Sequence, residues 1–126
     1  MTPFAVVDGP EDAPALVLGS SLGTTHEMWE PQVAPLAERF RLVRYDRRGH
    51  GRSPVVAGPT SIDDLGRDLV GLLDELGLER VSFCGLSLGG LDEPTAPWAD
   101  VARGGHELFA SVEELAEPWR GRARAA

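Results

Sequence analysis

The segment Gly85-Leu86-Ser87-Leu88-Gly89 directly follows the apolar run at 81–84, and it constrains the fold more than any other feature of the chain. A short apolar run bounded by glycine is typical of a buried strand. When a strand turns at once into a helix, the residue at the turn has strained backbone, and large side chains two positions to either side would clash. The spacing therefore predicts a sharp strand–turn–helix bend that presents the Ser87 hydroxyl to solvent. An ordinary serine in a glycine-rich turn is the alternative.

The rest of residues 1–90 alternates between strand-like and helix-like patterns. Apolar runs predict further strands at 4–7, 15–18 and 42–45. Apolar residues at spacings of three and four predict helices over 29–40 and 61–76, and Ser61 with Asp64 resembles a capping box for the second. This alternation predicts a mainly parallel sheet with helices on both faces. Loops that carry chemistry are then expected at the carboxyl ends of its strands.

Two backbone N–H groups are candidates for binding an oxyanion. An acyl-transfer site needs such a pair of donors, and the residue after the nucleophile supplies one of them. That residue is Leu88, and Leu22 in the loop 19–25 is the candidate for the second. A flexible connector is the alternative interpretation of that loop.

The segment 46–53 contains aspartate, histidine and serine, so it resembles a catalytic cluster at first sight. We interpret it instead as a scaffold, because Gly49 and Gly51 allow tight backbone turns and Asp46 can accept hydrogen bonds from backbone N–H groups.

These motifs together resemble the α/β-hydrolase superfamily over residues 1–90 and, within it, the 3-oxoadipate enol-lactonase group. The resemblance is carried by Ser20-Ser21-Leu22-Gly23-Thr24 with Met28-Trp29, by Asp46-Arg47-Arg48-Gly49-His50-Gly51-Arg52-Ser53, and by Gly85-Leu86-Ser87-Leu88-Gly89-Gly90. Many relatives carry His-Gly where this chain has Ser20-Ser21. The resemblance implies hydrolysis of a small enol-lactone in aromatic-compound breakdown. Ser87 would attack, the N–H groups of Leu22 and Leu88 would hold the oxyanion, and no cofactor or metal is implied.

The remainder of the chain departs from the family pattern. Family order places the catalytic acid and then the histidine after the nucleophile, yet only 39 residues follow Ser87. His106, preceded by Asp92 and Asp100, is a weak candidate for the base, with Asp100 as its acid. His26 and His50 precede Ser87, so both are interpreted as loop residues.

We therefore expect a partial α/β-hydrolase fold over 1–90, truncated after the bend, and an atypical tail over 91–126 with no further strand and one possible helix at 107–119. The expected function is hydrolysis of a small ester or lactone with impaired activity. A catalytically inactive fragment and a small binding module are the alternatives.

Composition limits the partners. The net charge is −8 and the chain has no lysine, which argues against a nucleic-acid partner. The single cysteine, Cys84, excludes an internal disulfide or a cysteine-based metal site. The sequence has neither an apolar stretch long enough to span a membrane nor the features of a signal peptide, so a cytoplasmic location is expected. An open edge of the half-sheet would permit self-association.

Overall fold

The sheet follows from the alternating apolar runs. The computed structural model describes residues 1–91 and the pair Leu108–Phe109. Its strands are β1 (Ala5–Asp8), β2 (Ala15–Gly19), β3 (Arg41–Tyr45), β4 (Val81–Gly85) and β5 (Leu108–Phe109). Their order is β1-β3-β2-β4-β5; β1 is antiparallel to β3, and every other pair is parallel. The predicted mainly parallel sheet is confirmed.

The helices occupy the predicted regions. A 3₁₀ turn at His26–Trp29 leads into α1 (Glu30–Ala37), α2 spans Ile62–Glu75, and α3 (Leu88–Leu91) follows the bend after β4. The capping box of Ser61 and Asp64 is present at the start of α2. At the other end, Gly77 has a φ of 67° and its N–H donates to the Asp74 carbonyl, while the Leu78 N–H donates to the Leu73 carbonyl. This pattern is a Schellman motif, which ends the helix.

Apolar clusters cover both faces of the sheet, because successive strand residues point to opposite sides. On one face α2 packs on the strands through Leu69, Leu72 and Leu73. On the other face Leu16, Leu18 and Leu42 pack against residues of the α1 region. The prediction of helices on both faces is confirmed. Cys84 lies in β4 and packs, partly buried, in the second cluster.

Helix α1 is shorter than the apolar pattern predicted. Pro31 lies in its first turn, as expected, and Pro35 lies inside it. Because Pro35 has no N–H, it cannot continue the hydrogen-bond ladder of the helix. The helix ends at Ala37, yet Phe40 still packs with the second cluster, and its N–H donates to the Leu36 carbonyl at 2.9 Å.

The expectation that no strand follows residue 90 is wrong for the pair Leu108–Phe109. These residues pair with Val81 and Ser82, so a helix beginning at 107 is also wrong at its start. The edge of β4 exposes backbone N–H and C=O groups that can pair with another strand, and Leu108–Phe109 pairs there. Hydrophobic periodicity within the tail does not reveal this pairing, because the partner strand lies elsewhere in the chain. The rest of the tail, with Asp92, Asp100 and His106, lies outside the described residues. None of the helices described is long and apolar enough to span a membrane.

Candidate active site

Ser87 occupies a sharp turn between β4 and α3. Its φ is 56°, and within residues 1–91 no other non-glycine residue has a positive φ. A side chain with a Cβ atom rarely adopts this region of backbone conformation, so the turn is strained. Ser87 is exposed, and the Gly89 N–H closes the turn by donating to the Leu86 carbonyl at 3.0 Å. The bend predicted from the glycine–serine–glycine spacing is present.

Backbone contact locks this turn to the end of β2. A Cβ atom at Gly89 would lie 2.3 Å from the Gly19 carbonyl oxygen and 2.9 Å from that of Ser20. The Leu86 N–H also donates to the Gly19 carbonyl, at 3.1 Å. Only glycine fits at position 89, as the spacing predicted. The contact places the beginning of the loop 19–25 directly against the turn that carries Ser87.

Hydrogen bonding within this loop leaves the Leu22 N–H available. The N–H groups around it donate to Met28 Sδ (from Ser21, 3.4 Å), to His50 Nε2 (from Gly23, 3.0 Å) and to the Ser21 carbonyl (from Thr24, 3.3 Å). Neither the Leu22 N–H nor the Leu88 N–H has an acceptor among the residues that the structure describes. Both sequence candidates for the oxyanion therefore carry an unused backbone donor, one on each side of the Gly19–Gly89 contact.

The Asp46 carboxylate organises the neighbouring loop. Its side chain is 1% exposed. Oδ1 accepts the backbone N–H and the Nδ1–H of His26, each at 2.8 Å, and Oδ2 accepts the Arg52 N–H at 3.0 Å. Burial raises the pKa of Asp46, but the bonds from Arg52 and His26 outweigh it and hold the pKa below its ordinary value of 3.8. The predicted scaffold role is confirmed.

Two small residues complete this scaffold. Gly51 has a φ of 49°, and a Cβ atom there would lie 2.1 Å from Asp46 Oδ2. The Ser53 hydroxyl donates to the Asp46 carbonyl and accepts the Phe4 N–H at 2.8 Å. Segment 46–53 is thereby hydrogen-bonded to Phe4, the residue that precedes β1.

Neither histidine in the described region is hydrogen-bonded to Ser87. The Nδ1 of His26 is bonded to Asp46, and both ring nitrogens of His50 are bonded, to Gly23 and to the Arg48 carbonyl. Sequence reasoning placed both histidines in loops and missed these links. No local signal reveals them, because the partners are 20 and 27 residues apart. Within residues 1–91, His, Cys, Asp and Glu form no group of three that could hold a metal ion.

Comparisons with known proteins agree with this geometry. The family model for the alpha/beta hydrolase fold matches residues 14–91. The chain is 42% identical over 125 residues to 3-oxoadipate enol-lactonase 1 of Acinetobacter baylyi and 44% identical over 93 residues to 3-oxoadipate enol-lactonase 2 of the same organism. Its fold is similar to the crystal structure of the enol-lactonase from Burkholderia xenovorans LB400, with a TM-score of 0.70 and 49% identity over 71% of this chain.

These matches cover only part of the relatives. The first Acinetobacter match includes 94% of this chain but 46% of that enzyme, and the second includes 74% and 34%. The match to the Burkholderia structure includes 35% of that chain. The chain thus spans less than half the length of these relatives.

Proposed function

Because this chain belongs to the α/β-hydrolase fold family, we propose that it is built to hydrolyse a small ester or lactone with Ser87 as the nucleophile. The observation that carries the proposal is the strained turn at Ser87. This residue has a φ of 56° and is exposed, and it directly follows the end of the parallel strand β4. Backbone strain persists only where the surrounding structure enforces it, and strained residues are concentrated at functional sites.

In the proposed reaction, Ser87 Oγ attacks the carbonyl carbon while a base removes the hydroxyl proton. The carbonyl oxygen becomes an oxyanion, which the N–H groups of Leu22 and Leu88 hold by hydrogen bonds. Collapse of this intermediate breaks the bond to the ring oxygen of a lactone, or to the alcohol oxygen of an ester, and that oxygen receives a proton. Water then attacks the acyl-serine and releases the acid and free Ser87.

The relatives support a lactone as the substrate, since both Acinetobacter proteins are named 3-oxoadipate enol-lactonases. Two exposed leucines adjoin the proposed machinery in sequence: Leu22, 68% exposed, and Leu86, 52% exposed. Apolar side chains at such positions suit a small substrate with an apolar body. A cytoplasmic location belongs to the same proposal.

Neither described histidine is assigned as the base, because neither is hydrogen-bonded to Ser87. Both ring nitrogens of His50 are bonded elsewhere, and His26, whose Nδ1 is bonded to Asp46, precedes the nucleophile against the family order. His106 with Asp100 is the candidate pair in the rest of the chain. We propose that residues 1–90 form the hydrolase part and that 91–126 form an atypical tail, which would impair activity. The second candidate function is a catalytically inactive hydrolase fragment or small binding module, favoured by the absence of a histidine hydrogen-bonded to Ser87 within residues 1–91.

A fluorophosphonate probe tests the nucleophile, since it labels only an activated serine. We expect labelling of the full chain, loss of labelling in Ser87→Ala, and retention in Ser82→Ala, a matched serine on the strand that precedes the turn. Hydrolysis of 3-oxoadipate enol-lactone and of p-nitrophenyl acetate, measured on the same three proteins, then compares lactone with generic ester. Absence of labelling in the wild type would overturn the proposal in favour of the inactive fragment or binding module.

A further inference from the structure

The ring of His50 bridges the two loops that flank the carboxyl end of β2. Its Nε2 lies 3.0 Å from the Gly23 nitrogen, and its Nδ1 lies 3.1 Å from the Arg48 carbonyl oxygen. Gly23 belongs to the loop that carries Leu22, whereas Arg48 belongs to the segment fixed by Asp46. His50 therefore joins the loop with the proposed oxyanion donor to segment 46–53, which the Asp46 carboxylate organises.

These two contacts determine the protonation state of the ring. A carbonyl oxygen only accepts hydrogen bonds, so Nδ1 must carry a proton. A backbone N–H only donates, so Nε2 must be unprotonated and accept. Both bonds are satisfied together only by the neutral ring with its proton on Nδ1. The same state leaves neither nitrogen free to take a proton from Ser87.

The Gly23 bond acts on the residue next to it. The peptide unit that contains the Gly23 N–H also contains the Leu22 carbonyl, so holding this unit fixes the orientation of the backbone one residue after the Leu22 N–H. Gly23 has a φ of 76°, and beyond its two chain neighbours no atom would lie within 4 Å of a Cβ atom placed there. Packing therefore does not hold this part of the loop, and Leu22 itself is exposed. Among the described residues, residues 21–24 of the loop are held by the contacts of Met28 and Thr24 and by the hydrogen bond from Gly23 to His50.

We propose that His50, as the neutral Nδ1–H ring, is a positioning residue that orients the Leu22 N–H by accepting the Gly23 N–H. The proposal rests on the assignment of Leu22 as an oxyanion donor under the proposed function. His50 touches no reacting atom in this scheme. It acts by fixing the direction of the Leu22 N–H. This donor stabilises the oxyanion only if it is correctly aligned before the substrate binds.

Nuclear magnetic resonance of the full chain tests the hydrogen bond without any requirement for activity. Long-range ¹H–¹⁵N spectra of the histidine rings should show a protonated Nδ1 and an unprotonated, acceptor-type Nε2 for His50. The ring of His26, which is bonded to Asp46 instead, is an internal reference that a change at position 50 should leave in place. A His50 ring protonated mainly on Nε2 would overturn the proposal.

Two substitutions separate the acceptor from the bulk of the ring. His50→Gln retains an acceptor at about the position of Nε2, whereas His50→Phe retains a ring and removes the acceptor. We expect the Gly23 amide proton to move upfield and to exchange faster with solvent in His50→Phe, and to stay close to its wild-type values in His50→Gln. An unchanged Gly23 amide in His50→Phe would overturn the proposal.

The rate of fluorophosphonate labelling at Ser87 connects this bond to the site. We expect the second-order rate constant to fall by about tenfold in His50→Phe and to stay within about threefold of wild type in His50→Gln, because a misaligned donor weakens the oxyanion site without removing it. If the Gly23 resonance changes but labelling does not, the bond is only structural and the proposal fails. If the wild type is not labelled at all, the proposed function fails instead, and the resonances of Gly23 and His50 still decide whether His50 orders the loop.

Discussion

Segment 46–53 follows β3 and the turn at 85–89 follows β4, so both lie at the carboxyl edge of the sheet, yet different forces hold them. In segment 46–53 the buried Asp46 carboxylate accepts hydrogen bonds from His26 and Arg52. In the turn at 85–89, the Gly89 backbone packs directly on the Gly19 backbone, and Ser87 has a strained conformation.

The comparison separates two ways of building a rigid loop. A buried carboxylate with satisfied lone pairs stabilises its segment, and each donor would be left without a partner if the carboxylate were removed. A strained turn costs free energy locally and persists only because its neighbours leave no room to relax. Segment 46–53 should therefore contribute to stability, whereas the turn should reduce stability in exchange for an exposed hydroxyl.

Asp46→Ala should produce the largest loss of stability. It leaves the N–H groups of His26 and Arg52 without their buried acceptor, and we expect the free energy of unfolding to fall by about 3 kcal/mol. Asp46→Asn keeps one acceptor oxygen and should lose about half as much. Urea unfolding followed by circular dichroism measures both. Equal, small losses in the two variants would contradict the scaffold role.

The dependence of the free energy of unfolding on pH provides a second test of the role of Asp46. Since folding lowers the pKa of Asp46 below 3.8, its contribution is fully present above that value and is lost as the pH falls through the lower folded pKa. Below about pH 4 the wild type should therefore lose stability more steeply than Asp46→Asn. Ser87→Ala, which leaves Asp46 intact, should follow the wild-type slope.

Gly89→Ala tests the backbone contact at the turn. The new Cβ atom would lie 2.3 Å from the Gly19 carbonyl oxygen, so the backbone must move, and we expect a loss of about 2 kcal/mol. Ser87 labelling should fall by about 100-fold, because the hydroxyl and the Leu88 N–H shift together. Gly71→Ala is the matched control. Gly71 lies inside α2, and beyond the neighbouring residues and the backbone of its own helix nothing lies within 4 Å of the new Cβ, so the substitution should stabilise the chain by about 0.5–1 kcal/mol. Wild-type labelling in Gly89→Ala would show that the contact is dispensable.

Ser87→Gly should have a smaller effect on stability than Asp46→Ala or Gly89→Ala, and of the opposite sign. Glycine adopts a φ of 56° without the penalty that a Cβ atom incurs, so Ser87→Gly should be about 1 kcal/mol more stable than Ser87→Ala, which retains the strain. Thermal unfolding of the two variants gives the difference. Both should lack the labelled serine. A Ser87→Gly variant no more stable than Ser87→Ala would mean that the turn stores no strain.

Local patterns predicted much of this molecule. The capping box at Ser61 and the turn at Ser87 depend on residues within four positions of one another, so spacing alone reveals them. The boundaries of α1 were less predictable, because Phe40 packs with the second cluster although the helix ends at Ala37. The Leu108–Phe109 strand was missed, since it is defined by a partner more than 20 residues away.

The sequence by itself determined the alternation of strands and helices, the bend that exposes Ser87 and the acceptor role of Asp46, because short-range sterics and polarity decide each of them. Only the tertiary structure decided that Gly19 packs on Gly89, that His26 meets Asp46, and that His50 accepts the Gly23 N–H. Those pairs come from different loops, and parallel strands bring them together at one edge of the sheet. Their contacts depend on distances across the sheet, which no local pattern encodes.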